Sequence, residues 1–372
     1  MDIGKFSEFY VDVTKDATKI PQEQYLAVGR YPIIDQGQKS IAGMWDNPDG
    51  LYEKVPAIVF GDHTRAIKYV DTPFFIGADG VKVLRPVHSG DNIKYLFYVL
   101  QAARIPNLGY SRHFKVVKEL EIRMYPRKKQ DEIVRVLEQI DSLLEQRQNE
   151  ILQMNQLVKS RFVEMFGEPF RCPKWKTEQL HVLAESISDG SNIDKQCYKK
   201  HDSVLFLRIQ NVWFNELRLE DSVYISDVVN KSYFDTSLHK GDLLITKIGR
   251  YYTDDSSLGR VSVYLGEDDK ANYSNNIMRV RLRDRVNSEF VNALMNLDDY
   301  NKYIRNVSVG GTDKRALSKK IIGELPIVVP PEQIQQQYVE FLHQVDKSKL
   351  AVQQSLEKLE TLKKSLMQQY FG

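Results

Sequence analysis

Two segments decide the fold of this 372-residue chain: residues 126–167, PRKKQDEIVRVLEQIDSLLEQRQNEILQMNQLVKSRFVEMFG, and residues 331–372, PEQIQQQYVEFLHQVDKSKLAVQQSLEKLETLKKSLMQQYFG. Aligned without a gap, they place Pro126 over Pro331 and keep that offset of 205 residues to the shared Phe-Gly end. A chance match of apolar positions between two helices is common, whereas a match of entry, interior and exit in one register is not. The chain therefore contains an internal repeat.

Both segments have the apolar spacing of a long helix that packs along one seam. Apolar residues recur at alternating steps of three and four, as in a heptad pattern, and helix-forming residues fill the remaining positions. At about 1.5 Å per residue each helix would be roughly 60 Å long. The predicted seam residues are Ile133, Leu137, Ile140, Leu144, Ile151 and Val158 in the first helix, and Leu342, Val345, Val352, Leu356, Leu359 and Leu366 in the second.

Basic residues interrupt the two seams at different heights. Lys349 aligns with Leu144, Arg147 with Val352, and Lys363 with Val158. Two similar helices with different interruptions can pack on each other and disfavour self-pairing, so we predict one antiparallel coiled coil within the chain, acting as a rigid spacer. The alternative is two independent coiled coils that dimerise separate chains.

The remaining sequence forms two globular heads, each feeding into one helix. We predict an α/β (α+β) fold with a first head at 1–125, a first spacer helix at 126–167, a second head at 168–330 and a second spacer helix at 331–372. The predicted strands are 55–60, 74–76, 81–84, 205–209, 243–246, 261–265 and 278–282, and short helices are expected near 93–103 and 288–296. The heads differ in sequence although the helices agree.

Composition limits the class of protein. The two cysteines, Cys172 and Cys197, form no CxxC motif and have no histidine at zinc-ligand spacing, which argues against a metal site and fits a reducing compartment. No apolar run is long enough for a signal peptide or a membrane span. We therefore expect a cytoplasmic protein without a membrane partner. The net charge of +2 is too small to indicate nucleic-acid binding by itself.

At this point the order head, helix, head, helix resembles the specificity subunit of type I restriction-modification systems. The resemblance is carried by Leu325-Pro-Ile-Val-Val-Pro-Pro-Glu-Gln333 with Leu342-His-Gln-Val-Asp346, and by Leu120-Glu-Ile-Arg-Met-Tyr-Pro126 with Gln130 and Leu137-Glu-Gln-Ile-Asp141. Residues 310–312 and 317–319 also match the family, and residues 109–112 match it more loosely. The likeness covers essentially the whole chain, and its specificity lies in the duplication.

The resemblance implies a function and a set of partners. Each head would be a target recognition domain for one half of a split site in double-stranded DNA, and the helix pair would fix the gap between the halves. Modification subunits would dock on the helices and methylate adenine with S-adenosylmethionine, and restriction subunits would add ATP- and magnesium-dependent translocation. The chain itself would hold no cofactor and no metal, and it would be a non-catalytic subunit.

Polar loops next to glycine or to apolar strands are the candidate DNA contacts. Their amides could pair with adenine edges, and their cations could hold phosphates or guanines. For any one of them an ordinary solvated turn is an equally good interpretation. The candidates are Gln36, Gln38, His63, Thr64, Arg65, Arg112 and His113 in the first head, and Ser191, Asn192, Arg208, Asn211, Lys247, Arg250, Lys314 and Arg315 in the second.

Four arginines alternate along the predicted strand near residue 280 and beyond it. Arg279, Arg281, Arg283 and Arg285 would share one strand face. They could follow a phosphate backbone, but an ordinary face with carboxylate partners such as Asp284 is slightly favoured.

Motifs of catalysis are missing from the sequence. There is no G-x-x-x-x-G-K-[ST] loop and no HExxH motif, and Pro330-Pro331 lacks the polar and aromatic neighbours of an amino-methyltransferase loop. Two alternatives remain: a stand-alone DNA-modifying enzyme with an unusual site, and a coiled-coil adaptor whose heads bind proteins. Methylation or cleavage by the chain alone would favour the first. An unchanged DNA target after exchange of one head would favour the second.

Overall fold

The computed structural model describes residues 2–77, 79–109, 111–253 and 255–372. Tyr110, which belongs to the looser family match, lies outside them. The chain divides into two compact units, Met1–Glu150 with Val352–Gly372, and Ile151–Ala351. Each unit contains one head and parts of both long helices.

In its described residues the first unit contains nine strands, three short α-helices and the beginning of a long helix. The strands are β1 Asp2–Lys5, β2 Tyr10–Asp12, β3 Tyr31–Ile34, β4 Gly43–Trp45, β5 Ala57–Gly61, β6 Ile67–Val70, β7 Phe75–Ile76, β8 Val81–Pro86 and β9 Glu121–Met124. The helices are α1 Phe6–Phe9, α2 Ile93–Ala102, α3 Phe114–Val117 and α4 Arg127–Phe166, the last of which continues into the second unit.

The second unit repeats this order with additions. Its strands are β10 Gly167–Glu168, β11 Cys172–Pro173, β12 Thr177–Gln179, β13 Ala184–Asp189, β14 Val204–Leu207, β15 Val223–Ile225, β16 Leu243–Thr246, β17 Ile248–Arg250, β18 Val261–Val263, β19 Ala271–Tyr273, β20 Ile277–Leu282, β21 Val309–Gly310, β22 Lys314–Ala316 and β23 Pro326–Val328. Its helices are α5 Leu180–Leu183, α6 Asp227–Lys231, α7 Ser288–Met295, α8 Asp298–Val307, α9 Lys319–Gly323 and α10 Glu332–Phe371, the last of which continues into the first unit.

The two heads share one sheet topology. The first has an antiparallel sheet in the order β2-β8-β5-β6, a sheet β4-β3-β7 and a strand pair β1-β9. The second has β13-β20-β16-β18, β15-β14-β19 and β12-β23 in the same places. Even the parallel pairing of β3 with β7 recurs between β14 and β19. The repeat read from the helices therefore extends through both heads, although their sequences differ.

Strand β5 is a central strand that is buried on both faces of its sheet. All five of its residues are buried, and alternate side chains point to opposite faces of the sheet. Ile58 and Phe60 pack with α2, whereas Ala57 and Val59 belong to a second core on the other face. Strand β16 does the same in the second head, with Leu243 and Ile245 on one side and Leu244 on the other. Each central strand thus joins two cores.

Helices α4 and α10 pack antiparallel. In the first unit the beginning of α4 shares a core with the end of α10, and Lys363 pairs with Asp141 at 2.6 Å. In the second unit the Tyr338 hydroxyl donates to the carbonyl of Val158 at 3.2 Å, and the Phe166 ring lies 5.4 Å from the Tyr338 ring. Every predicted seam residue is buried or half-buried.

The basic residues that interrupt the apolar seam form ion pairs with carboxylates. Lys363 contacts Asp141 of the other helix, whereas Arg147 pairs with Glu150 at 2.7 Å within its own helix. Lys349 lies 3.6 Å from Asp346, one turn away.

The predicted strands agree with the structure except at their ends. The strand predicted at 205–209 stops at Leu207, and Ile209–Asn211 is a 3-10 turn. The cause is local, because the Asn211 side chain accepts a hydrogen bond from the backbone N–H of Arg208 at 2.9 Å. The strand predicted at 261–265 ends at Val263.

Candidate nucleic-acid interface

Three loops of the first head meet where β5 ends. The backbone N–H of Asp62 donates to the carbonyl of Gly80 at 2.6 Å, and the Asp62 carbonyl accepts from the N–H of His113 at 2.9 Å. The turn after β5, the turn before β8 and the segment before α3 are thereby joined at one end of the sheet.

A fourth loop, which follows β3, closes this cluster. The side-chain oxygen of Gln36 accepts from the N–H of His63 at 3.3 Å, and the Thr64 hydroxyl donates to the Gln36 carbonyl. A Cβ at Gly80, where φ is +90°, would lie 2.8 Å from the His63 ring. The structure thus brings Gln36, His63 and Thr64 together, as glycine at position 80 allows.

A half-buried lysine, Lys68, holds the loop after β3. Lys68 donates to the carbonyl of Asp35 at 2.8 Å, and its ammonium lies 3.4 Å from the Asp35 carboxylate. Burial lowers the pKa of Lys68, although the Asp35 charge opposes that shift. The anchored loop presents the exposed side chain of Gln38 to solvent.

The remaining first-head candidates other than His113 are Arg112 and Arg65, and they differ in how exposed their side chains are. Arg112 is exposed and close enough to Asp79 to contribute to the lowered pKa of that carboxyl, which results mainly from its hydrogen bond with Lys19. Arg65 is half-buried, and its guanidinium donates to the carbonyl of Ile105 at 3.1 Å.

His113, a predicted DNA contact, lies inside the first head. Its side chain is 0% exposed, with Nδ1 2.8 Å from the Asp62 carbonyl and Nε2 accepting from the N–H of Leu108 at 3.1 Å. His113 therefore ties two loops together from inside the head.

The second head builds its loop cluster on the same backbone contacts. The N–H of Lys247, the residue after β16, donates to the carbonyl of Asn276 at 2.9 Å, and the Lys247 carbonyl accepts from Leu317 at 2.8 Å. Lys247 thus occupies the place of Asp62 in the first head. Its ammonium pairs with the Asp189 carboxylate at the end of β13.

Two of the second-head candidates, Ser191 and Asn211, are buried in the structure. Ser191 is 6% exposed, and its hydroxyl lies against Thr236 and Asn272. Asn211 is 1% exposed and caps the 3-10 turn, with Nδ2 donating to the Arg218 carbonyl at 2.8 Å. Both residues shape the loops from within.

The neighbouring candidates reach the surface. Asn192 is exposed beside the buried Ser191, and Arg208 is half-buried with its guanidinium on the carbonyl of Asp221. The backbone joins these loops as well, because Ser274 donates to Leu207 at 2.9 Å and Asn275 donates to Ser191 at 3.1 Å.

Three further candidates share a small sheet in the order β17-β22-β21. Arg250 lies directly opposite Lys314, and Arg315 extends over the ring of Tyr251 at 4.0 Å. Sequence reasoning missed Tyr251 and its 73%-exposed neighbour Tyr252. The sequence could have indicated both tyrosines, because they directly follow the candidate Arg250.

Two of the four arginines near β20 have carboxylate partners, and among the described residues Asp284 is not one of these partners. Arg281 forms two hydrogen bonds of 2.8 Å with Asp242, which raise the pKa of that guanidinium. Arg285 pairs with Glu178 at 2.9 Å. Arg279 is buried and donates to the Ser237 carbonyl at 3.0 Å, so this row braces the second head.

The described residues contain neither a cluster of metal ligands nor a helix that could cross a membrane. In the described part of the chain no three or more histidine, cysteine, aspartate or glutamate side chains are grouped so that they could hold a metal ion. Among the same residues, no helix has the length and hydropathy needed to cross a membrane.

Comparison with known folds identifies solved structures of the same architecture. The crystal structure of a type I restriction-modification S subunit from M. genitalium matches with a TM-score of 0.61 at 14% identity, covering 100% of this chain and 96% of that one. A chain from a structural study of complex assembly and conformational transition of the type I restriction-modification system matches with a TM-score of 0.58 at 14% identity, covering 100% and 97%. At this identity the likeness establishes the fold.

Comparison with protein families gives a match in both halves. The type I restriction modification DNA specificity domain matches residues 9–153 and again residues 174–362. Each match contains most of one head and most of the long helix that follows it, in agreement with the duplicated topology. The chain therefore belongs to the family of type I restriction-modification DNA specificity subunits.

Proposed function

We propose that this chain reads a bipartite, nonpalindromic DNA site with a gap of fixed length. The observation that carries the proposal is the pair of equivalent loop clusters, built on the same backbone contacts but with unlike side chains. Where the first head has the buried Asp62, the second has Lys247, with its ammonium on Asp189.

The unlike clusters account for a nonpalindromic site. Identical subunits related by a twofold axis present identical side chains and therefore read two copies of one half-site. Here the scaffold is repeated but the loops differ, so each head would select its own sequence. In the first head Gln38 and Arg112 are exposed for this role, and in the second Asn192, Arg250 and Lys314.

The helix pair would set the gap. Its seam is apolar, and an ion pair between Asp141 and Lys363 crosses it. Such a pair bends little, so the distance between the half-sites would follow from helix length.

The catalytic steps would belong to partner proteins. Modification subunits would methylate adenine with S-adenosylmethionine, and restriction subunits would use ATP and magnesium. Because the chain carries a net charge of only +2, these partners would supply much of the electrostatic attraction to DNA. A cytoplasmic location fits this role.

The test is a map of methylated adenines in cells that express the chain with its modification subunits and have no other such system. The expected result is one methylated motif with two unlike half-sites separated by a constant number of unspecified bases. A contiguous motif, a palindrome, or methylation unaffected by omission of this chain would overturn the proposal.

A further inference from the structure

The β17-β22-β21 sheet of the second unit has one packed face. A Cβ at Gly249 would overlap the backbone nitrogen of Leu258, and the Ser257 hydroxyl donates to the Ile248 carbonyl at 2.7 Å. Arg315, opposite Gly249 in the ladder, points to this same face and is held over Tyr251. One face of this sheet is therefore packed against the rest of the second head.

The other face presents two rows to solvent. Arg250 and Lys314 form the first row as directly opposed partners, and Ile248, Ala316 and Val309 form the second. Ile248 is 40% exposed and Val309 is 58% exposed. Both rows share one face because side chains alternate along a strand. The result is a cationic row beside an exposed apolar row on a rigid ribbon.

The cationic row indicates the chemistry of its ligand. Like charges directly opposite each other in an antiparallel pair destabilise the pair, because their Cβ atoms are only about 5 Å apart. Within the described residues the carboxylate beside this row is that of Asp313, 3.8 Å from Nε of Arg250, and both side chains are 64% exposed. An anion or a set of hydrogen-bond acceptors placed across the row would remove the repulsion.

The ribbon is an addition to the repeated fold. In the first head residues 62–66 alone connect β5 to β6, whereas residues 247–260 connect the equivalent β16 to β18 and include β17. The added strand lies directly after Lys247, inside the loop cluster. The addition thus extends the loop cluster, while its Leu258 is buried in the core of the second head.

We propose that this ribbon enters the DNA major groove of the second half-site and reads base edges there. The inference rests on the proposed function and deepens it by naming the element that reads the bases. Strands β17 and β22 form a two-stranded antiparallel ribbon with the two-residue β21 at its edge, and a major groove admits a two-stranded β-ribbon. Arg250 and Lys314 donate to the O6 and N7 acceptors of guanine, and Ile248 and Val309 contact a thymine methyl group. The described residues of the first head include no such ribbon, so that head reads its half-site with other loops.

The test compares methylation maps of matched double variants, each expressed with the modification subunits. Arg250→Ala with Lys314→Ala is expected to relax the second half-site at one or two base pairs, while the first half-site and the gap stay unchanged. The control, Arg171→Ala with Lys176→Ala, removes the same charges from exposed positions of the same unit and is expected to leave the motif unchanged.

A second variant keeps the test decisive if the double variant fails to fold. Arg250→Lys preserves the charge but removes the planar fork that contacts guanine with two hydrogen bonds. Selection of bound duplexes from a random library by the purified methyltransferase complex is expected to give a second half-site with a weakened guanine.

Three outcomes would overturn the inference. An unchanged second half-site in both variants excludes base reading by the ribbon. A uniform loss of binding with unchanged sequence preference assigns the ribbon to phosphates, and a loss of modification-subunit binding assigns it to a protein contact. A wild-type chain without a bipartite motif would instead contradict the proposed function.

Discussion

The side-chain oxygen of Gln335 accepts a hydrogen bond from the backbone N–H of Asn287 at 2.9 Å. The same side chain donates from Nε2 to the carbonyl of Pro330 at 2.8 Å and is 1% exposed. Asn287 in turn caps α7, its side chain accepting from Glu289 and Phe290. One glutamine in the first turn of α10 therefore connects the end of β23 to the start of α7.

Gln130 forms the same junction in the first unit. It accepts from the N–H of Asn92 at 2.8 Å and donates to the Tyr125 carbonyl at 2.9 Å, and Asn92 caps α2. Gln130 and Gln335 are related by the offset of 205 residues found in the sequence. In both units a buried glutamine fixes where the long helix leaves its head.

Replacement of Gln335 by alanine should destabilise the second unit. The variant leaves the Pro330 carbonyl and the Asn287 N–H without their partner in a buried place, which costs about 1–3 kcal/mol. Thermal or urea unfolding of the whole chain measures the loss. Gln336→Ala, at the exposed neighbouring position, should change stability by less than about 0.5 kcal/mol. Equal stability of the two variants would show that the junction contributes little.

A second contact recurs in both units, with the carboxylate on the long helix in the first unit and on the short helix in the second. Lys94 of α2 pairs with Glu138 of α4 at 2.6 Å, whereas Glu289 of α7 pairs with His343 of α10 at 2.6 Å. The contacts occupy equivalent places, because Glu138 and His343 are related by the same offset of 205 residues. Each short helix thus supplies a polar partner for the residue at this position of its own long helix.

Charge reversal in the first unit should be repaired by its partner. Lys94→Glu should be destabilising because two carboxylates then face each other, and Lys94→Glu with Glu138→Lys should recover stability. A double-mutant cycle by denaturant unfolding should give a coupling of about 0.2–1 kcal/mol, the range for partly exposed pairs. Lys115→Glu, at an exposed position, is the control. Additive effects of the two single changes would argue against the pair.

The isolated chain should bind DNA weakly and with a shallow dependence on salt. The slope of log K against log salt concentration is about −0.9 for each phosphate neutralised, so few contacts give a small slope. Fluorescence anisotropy with a labelled duplex, with and without modification subunits, provides the measurement. Tight, site-specific binding by the chain alone in moderate salt would contradict the proposed sharing of charge.

Shortening both long helices should shorten the gap and leave the half-sites unchanged. Deletion of residues 144–150 from α4 and 352–358 from α10 removes about 10 Å of helix, or about 3 base pairs of DNA. A methylation map of the variant gives the new gap directly, provided that the complex still assembles. A gap of the original length in an assembled complex would show that the length of the helices does not set the gap.

The long helices were predictable because their signal is local and repeated. The seam from Ile133 to Val158 follows heptad steps, and a residue at the wrong step would leave the interface. The central strands were predictable for a similar reason, as β16 shows, where four consecutive apolar or β-branched residues form a buried strand at the predicted bounds. These elements are set by patterns that neighbouring residues share.

The candidate interface was less predictable because it depends on contacts between distant loops. His113 looked like part of a basic turn, yet its partner Asp62 lies 51 residues away and holds it inside the head. The β17-β22 ribbon shows no alternation of apolar and polar residues, since its packed face is made by a glycine and a stacked arginine. The topology that the two heads share was also not predictable, because strand order and register are set by pairing between strands that are distant in sequence.

The central claim, that each head selects its own half-site, is tested most directly by methylation maps of two variants side by side. One carries Gln38→Ala and Arg112→Ala in the first head, and the other carries Arg250→Ala and Lys314→Ala in the second. The account predicts that the first variant changes one half-site, that the second variant changes the other, and that the gap is constant. Both variants altering the same half-site, or neither altering any base of the motif, would contradict it.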